Sequence, residues 1–130
     1  MKKIAQKFGI SLDNDEFEIT KETLSQNCKY IIGEEILLGP DAICNSYQQN
    51  MIAGRKKLDK LEWGKSRVQA INESEFYVHF TDYLTHKGIN YTHRCKQKLT
   101  IQDGSIILIE HIPDEKEKKK LDEFYRNIGL

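Results

Sequence analysis

Between Glu75 and Pro113, apolar and polar residues alternate with period two, and the alternation is interrupted at Lys87-Gly88 and Asp103-Gly104. Period two is the mark of strands, whose successive side chains point to opposite faces. Glycine accepts the positive φ that tight hairpin turns require. The stretch is therefore predicted to be an antiparallel meander of three strands. With Lys87-Gly88 as the first turn, His86 pairs with Ile89, Asp82 with His93, Phe80 with Cys95 and Val78 with Gln97. With Asp103-Gly104 as the second, Gln97 falls opposite Glu110 and Leu99 opposite Leu108. One face then carries Phe76, Val78, Phe80, Leu84, Leu99, Ile101, Ile106 and Leu108, together with the polar Asp82, His93, Gln97 and Glu110. A slip of one residue would exchange the two faces, so the assignment depends on both turns.

The other elements are read from caps and helical periodicity. Lys2 to Phe8 is predicted as a short helix stopped by Gly9, followed by a polar link over residues 13–16. A second short helix runs from Thr20 to about Ser25. A short strand surrounds Cys28, Tyr30 and Ile32 and turns at Gly33. Gly39-Pro40-Asp41 opens the clearest helix: proline suits the first helical position, and the Asp41 charge suits the positive dipole end. Ile43, Tyr47, Met51, Gly54 and Leu58 form its buried stripe. Residues 61–72 read as a long strand whose apolar parity switches, which predicts a bulge between Gly64 and Arg67. Asp114 caps a final helix from Glu115 to Asn127, with Leu121, Phe124, Tyr125 and Ile128 on its apolar side. Helices ahead of a strongly curved antiparallel sheet make an α+β roll, read as a single domain over residues 1–130.

Composition narrows the partners. The 130 residues carry no formal net charge, which removes the general electrostatic case for nucleic acid or anionic membranes. Three cysteines without a CxxC pair point to buried thiols in a reducing compartment. The amino-terminal stretch lacks the apolar core of a secretion signal, and no run reaches membrane-spanning length. A cytoplasmic protein is expected.

Three passages resemble the nuclear transport factor 2-like (NTF2-like) superfamily, in its SnoaL-like branch. They are Leu38 to Ile43 leading into Ser46-Tyr47, the strand from Glu62 to Asn72, and Tyr91 to Ile112 with its Asp103-Gly104-Ser105-Ile106 turn. Their order and spacing cover about residues 27–113. The resemblance implies a cone-shaped roll in which helices cover a curved sheet around an apolar cavity. It also implies a homodimer formed through sheet faces. The family includes isomerases, dehydratases, cyclases and hydrolases, but also proteins that only bind, so fold alone does not settle function.

Asp82 and His93 are the candidate catalytic pair. A carboxylate beside imidazole can fix its tautomer and raise its basicity, and the pair could move a proton on a carbon acid or alcohol. A structural Asp–His hydrogen bond is the competing reading. Gln97 and Glu110 are expected as a second cross-strand pair, with Tyr30, Tyr47, Trp63 and Tyr91 lining a pocket. Cys95 stands two residues from His93, roughly 6–7 Å along one strand, too far for an activated thiol. The histidines are spread apart, so no metal site is predicted, and no cofactor motif appears. His79, Arg94 and Lys96 share the other face with Tyr77 and Tyr83, which suggests a dimer surface, an RNA platform being the alternative. Two functions follow. One is a domain that binds a small apolar molecule or assembles with a partner. The alternative is a cofactor-independent lyase or isomerase acting through Asp82 and His93.

Overall fold

The computed structural model describes every residue from Met1 to Leu130. The chain runs α1 (Lys2–Asp13), α2 (Phe17–Thr23), β1 (Leu24–Ile32), β2 (Glu35–Leu38), α3 (Pro40–Lys57), β3 (Lys60–Trp63), β4 (Arg67–Ala70), β5 (Glu75–His86), β6 (Ile89–Gln102), β7 (Ser105–Ile112) and α4 (Glu115–Asn127). The meander is present as β5, β6 and β7. Its turns carry positive φ at Lys87 (51°), Gly88 (78°), Asp103 (52°) and Gly104 (78°), as two-residue hairpins demand. The β5–β6 register is the predicted one, with Asp82 facing His93, Phe80 facing Cys95 and Val78 facing Gln97.

The β6–β7 register is not the predicted one. The turn starts as expected, with Gln102 opposite Ser105 and Ile101 opposite Ile106, but a bulge follows and Thr100 faces Leu108. One inserted residue reverses the faces of the rest of β7. Gln97 therefore faces His111, and Glu110 faces Lys98. Ile109, rather than Leu108, is fully buried.

The expected architecture also needs correction. The sheet is mixed, because β1 lies parallel to β7, and its seven strands follow the order β2-β1-β7-β6-β5-β3 with β4 also on β5. The path has two free ends, at β2 and β3, so the sheet stays open and does not curl into the cone-shaped, wholly antiparallel roll. Hairpin signals announce antiparallel neighbours through their turns. The parallel pairing of β1 and β7 joins segments some eighty residues apart and leaves no local mark.

Smaller corrections share a theme of close approach. Gly9 does not stop α1. It lies inside the helix, where a Cβ would meet Ser66 Oγ at 2.5 Å and Val78 Cγ1 at 3.1 Å. The predicted long strand is two short ones, β3 and β4, which pair with successive parts of β5 on either side of the break at Gly64. The second helix starts three residues earlier than expected and ends at Thr23, before β1. The α3 and α4 boundaries are as read, and the Asp114 carboxylate accepts from the N–H groups of Lys116 and Glu117.

Two clusters form the interior. The larger unites Ala5 and Phe8 of α1 and Ile43 and Cys44 of α3 with Phe76, Val78, Leu99, Ile101, Ile106 and Ile109 of the sheet. The smaller joins Phe124 and Ile128, at the end of the chain, to Leu58 and Leu84. No helix is long and apolar enough to cross a membrane.

Candidate active site

The two clusters leave a cavity of about 390 Å³ between the helices and the sheet. Strands β5 and β6 supply its wall through alternate residues: Phe80, Asp82 and Leu84 from one, His93, Cys95 and Gln97 from the other. Helix α3 contributes Tyr47 and Met51, and α4 closes one end with Leu121 and Tyr125.

Of the residues chosen from sequence, Asp82, His93, Tyr30, Tyr47, Trp63 and Gln97 all line this cavity. Glu110 and Tyr91 do not. Glu110 is turned by the bulge to the opposite face, where its carboxylate lies 3.9 Å from Lys98 Nζ. Tyr91 stacks on Phe124 at 5.4 Å and donates its hydroxyl to Glu117 at 2.8 Å. Gln97 does find polar partners, but they are the tyrosines. Tyr47 donates to its Oε1 at 2.6 Å, and its Nε2 donates to the Tyr30 hydroxyl at 2.8 Å. The two rings stack at 5.3 Å, so this polar triplet is rigid and internally satisfied.

Asp82 has no such satisfaction. Burial pushes its carboxyl up to about 7, and the nearby charge of Asp13 adds to the effect. Asp13 is held in place because its carboxylate accepts from Ser66 N–H and Oγ, both at 2.8 Å. Partial burial lowers the pKa of His93, while Glu117 opposes that trend. Its Nδ1 lies 3.5 Å from Glu117 Oε2 and makes no hydrogen bond of good geometry. Glu117 itself is pushed up by burial, but the Tyr91 hydroxyl, the Arg94 backbone and His93 outweigh this and hold it below the usual carboxylate range.

Cys95 joins the pair more closely than strand spacing suggests, since donor atoms of Asp82, His93 and Cys95 all lie within 4.8 Å of one another. These three are the residues that could share a cation. A tetrahedral site would draw them to roughly 3.5 Å apart and require the thiolate. Burial instead pushes the Cys95 thiol up to about 12, so it keeps its proton and is a poor nucleophile.

The sequence reading missed Asp13, Asp15, His111, Glu117 and Tyr125. Asp15 anchors the cavity rim, accepting from Trp63 Nε1 at 2.7 Å and pairing with Arg55 at 2.8 Å. Its positive φ of 57° was the available signal, but it arises in a polar link with no periodicity to expose it. Glu117 sits among the lysines of α4 and reads as surface patterning.

The order and pairing of these elements are similar to those of solved NTF2-like structures, in line with the resemblance seen in the sequence. No family model matches the chain, and no curated protein sequence does. Solved structures do. TerC, crystallised with polyporic acid, is 15% identical with a TM-score of 0.71, over 93% of this chain and 96% of that one. A candidate polyketide cyclase from Xanthomonas campestris is 11% identical, TM-score 0.69, over 90% and 92%. An NTF2-like protein of unknown function from Cytophaga hutchinsonii is 13% identical, TM-score 0.59, over 91% and 93%. At these identities the likeness is one of fold alone.

Proposed function

We propose that this protein is a lyase or isomerase that moves a proton on a small, largely apolar, polyketide-like molecule bound in the cavity. The observation that carries this reading is the pairing of Asp82 with His93 in the cavity wall, with the carboxyl pushed up to about 7. An acid poised near neutrality can give a proton and recover it at the same pH, which is where general acid–base catalysis is most effective. His93, kept neutral by partial desolvation, is the base. It takes a proton from carbon or hydroxyl, and the protonated Asp82 returns one at the neighbouring atom. Tyr47 and Trp63 place the substrate against the pair. The transfer requires no cofactor. The fold likeness to a candidate polyketide cyclase supports the substrate class.

The test is proton–deuterium exchange at the α carbon of a panel of polyketide-like ketones, followed by NMR. Acceleration by the protein is expected, with a loss of about 100-fold or more in Asp82→Asn and in His93→Gln. If no ketone exchanges faster than in buffer, or if both variants exchange as the parent does, the enzyme reading fails. Binding without exchange would favour a carrier of small molecules instead. We also propose a homodimer contact on the uncovered sheet face, where Tyr83 is 47% exposed and Lys96 Nζ stands 4.5 Å over the Tyr77 ring. Light scattering on the parent and on Tyr83→Glu reads the subunit number. Three free cysteines support a cytoplasmic setting.

A further inference from the structure

The meander and α4 meet at an edge that the topology leaves open. Strand β6 is fourteen residues long, but β7 pairs only with its half from Lys96 onward. The half that carries Tyr91 and His93 has β5 on one side and no strand on the other. Helix α4 packs there, with Phe124 stacked on Tyr91 and Glu117 turned toward the strand. Glu117 Oε2 is held at 2.8 Å by the Tyr91 hydroxyl and stands 3.5 Å from His93 Nδ1. Its side chain is 18% exposed, so the carboxylate is spent on this corner rather than on solvent.

The chemistry of the two groups is unequal. An ionised carboxylate can only accept, so a buried ring nitrogen facing it is satisfied only when that nitrogen carries the proton. His93 Nδ1 makes no hydrogen bond as it stands, and the Glu117 carboxylate, 3.5 Å away, is the acceptor within reach. We infer that Glu117 is the positioning residue of His93: it holds the proton on Nδ1 and so leaves Nε2 as the lone pair available to the cavity. This rests on the acid–base reading for its use, but not for its detection. When Nε2 takes a proton the imidazolium sits beside a fixed negative charge, which offsets the penalty of forming a cation in a buried place. The same arrangement makes α4 part of the site, since its docking on the open edge of β6 decides which nitrogen is basic. Asp114 also favours the charged ring, and His111 opposes it.

The experiment reads the ring directly. In ligand-free protein labelled with ¹⁵N, the nitrogen shifts of His93, assigned by comparison with His93→Gln, report tautomer and pKa. The parent is expected to show the proton on Nδ1. Glu117→Ala is expected to shift the ring toward a mixture of tautomers and to lower its pKa by about one pH unit, the scale of losing one close opposite charge. Glu117→Gln keeps an acceptor without the charge, so it should retain more of the Nδ1 tautomer while its pKa falls. This second variant also serves if alanine loosens α4, and backbone amide spectra report folding for both. A parent ring protonated on Nε2 overturns the inference. So does a folded Glu117 variant whose His93 tautomer and pKa match the parent's. Neither result depends on turnover, so failure here is separable from failure of the exchange assay.

Discussion

Asp82→Asn should stabilise the protein, and by an amount that grows with pH. The carboxyl is half-buried, and desolvation raises its pKa from the ordinary 3.8 to about 7. Between those two values the folded chain holds a proton that the unfolded chain has released. Stability must then fall as pH rises through this interval, by about 1.4 kcal/mol for each pH unit. The full interval corresponds to about 4 kcal/mol, present below pH 3.8 and lost once pH passes 7. Asparagine copies the shape of the neutral acid and does not titrate. Below pH 4 the parent and the variant should agree within about 1 kcal/mol, the ordinary scale of a mild substitution. At pH 8 the variant should be more stable by about 2–4 kcal/mol, allowing for relaxation around the ionised group. Groups remote from Asp82 titrate alike in both proteins and cancel in the difference. Urea unfolding from pH 4 to 8 measures it, followed through Trp63, the one tryptophan of the chain. A difference that is flat with pH, or one in which the parent gains on the variant as pH rises, would refute the reasoning. It would mean that Asp82 has a partner for its charge, and the poised acid of the proposed chemistry would be lost with it.

Gln97→Leu removes the shared partner of the Tyr30 and Tyr47 hydroxyls, and should cost about 1–3 kcal/mol in urea unfolding, the penalty of unpaired buried polar groups. Gly9→Ala should destabilise by about 1–3 kcal/mol, because the new methyl meets Ser66 and Val78, although alanine favours helix by about 1 kcal/mol elsewhere. Asp114→Ala should lower stability by about 1 kcal/mol and weaken amide protection in α4 first, as measured by hydrogen exchange. Cys95, whose thiol is pushed up to about 12, should react slowly with a thiol reagent at pH 8 until urea exposes it.

Legibility followed the range of the interactions. The β5–β6 pairing was readable because one turn, Lys87-Gly88, sets the register of the whole ladder. That is why the sequence alone brings Asp82 and His93 together. The second turn was read equally well, yet the bulge after Ile101 reversed the faces beyond it and sent Glu110 outward. Nothing in a continuous apolar run such as Ile106 to Ile109 says which residue will be skipped. Gly9 misled for the opposite reason. A glycine in a helical stretch looks like a stop, but here it marks the place where a helix touches its neighbours.

Local chemistry determined the elements of this protein. Gly-containing turns, the proline opening of α3, the Asp114 cap and the two periodicities define strands and helices through contacts only a few residues long. The first half of the candidate site came with them, because Asp82 and His93 face each other across a single hairpin. What only the tertiary structure decided is whatever joins distant segments: β1 beside β7, an open mixed sheet, Asp15 beneath Trp63, and Glu117 against His93. These contacts depend on how whole elements pack. So do the burial that raises Asp82 and the cavity it faces, since desolvation is a property of the surroundings and not of the residue.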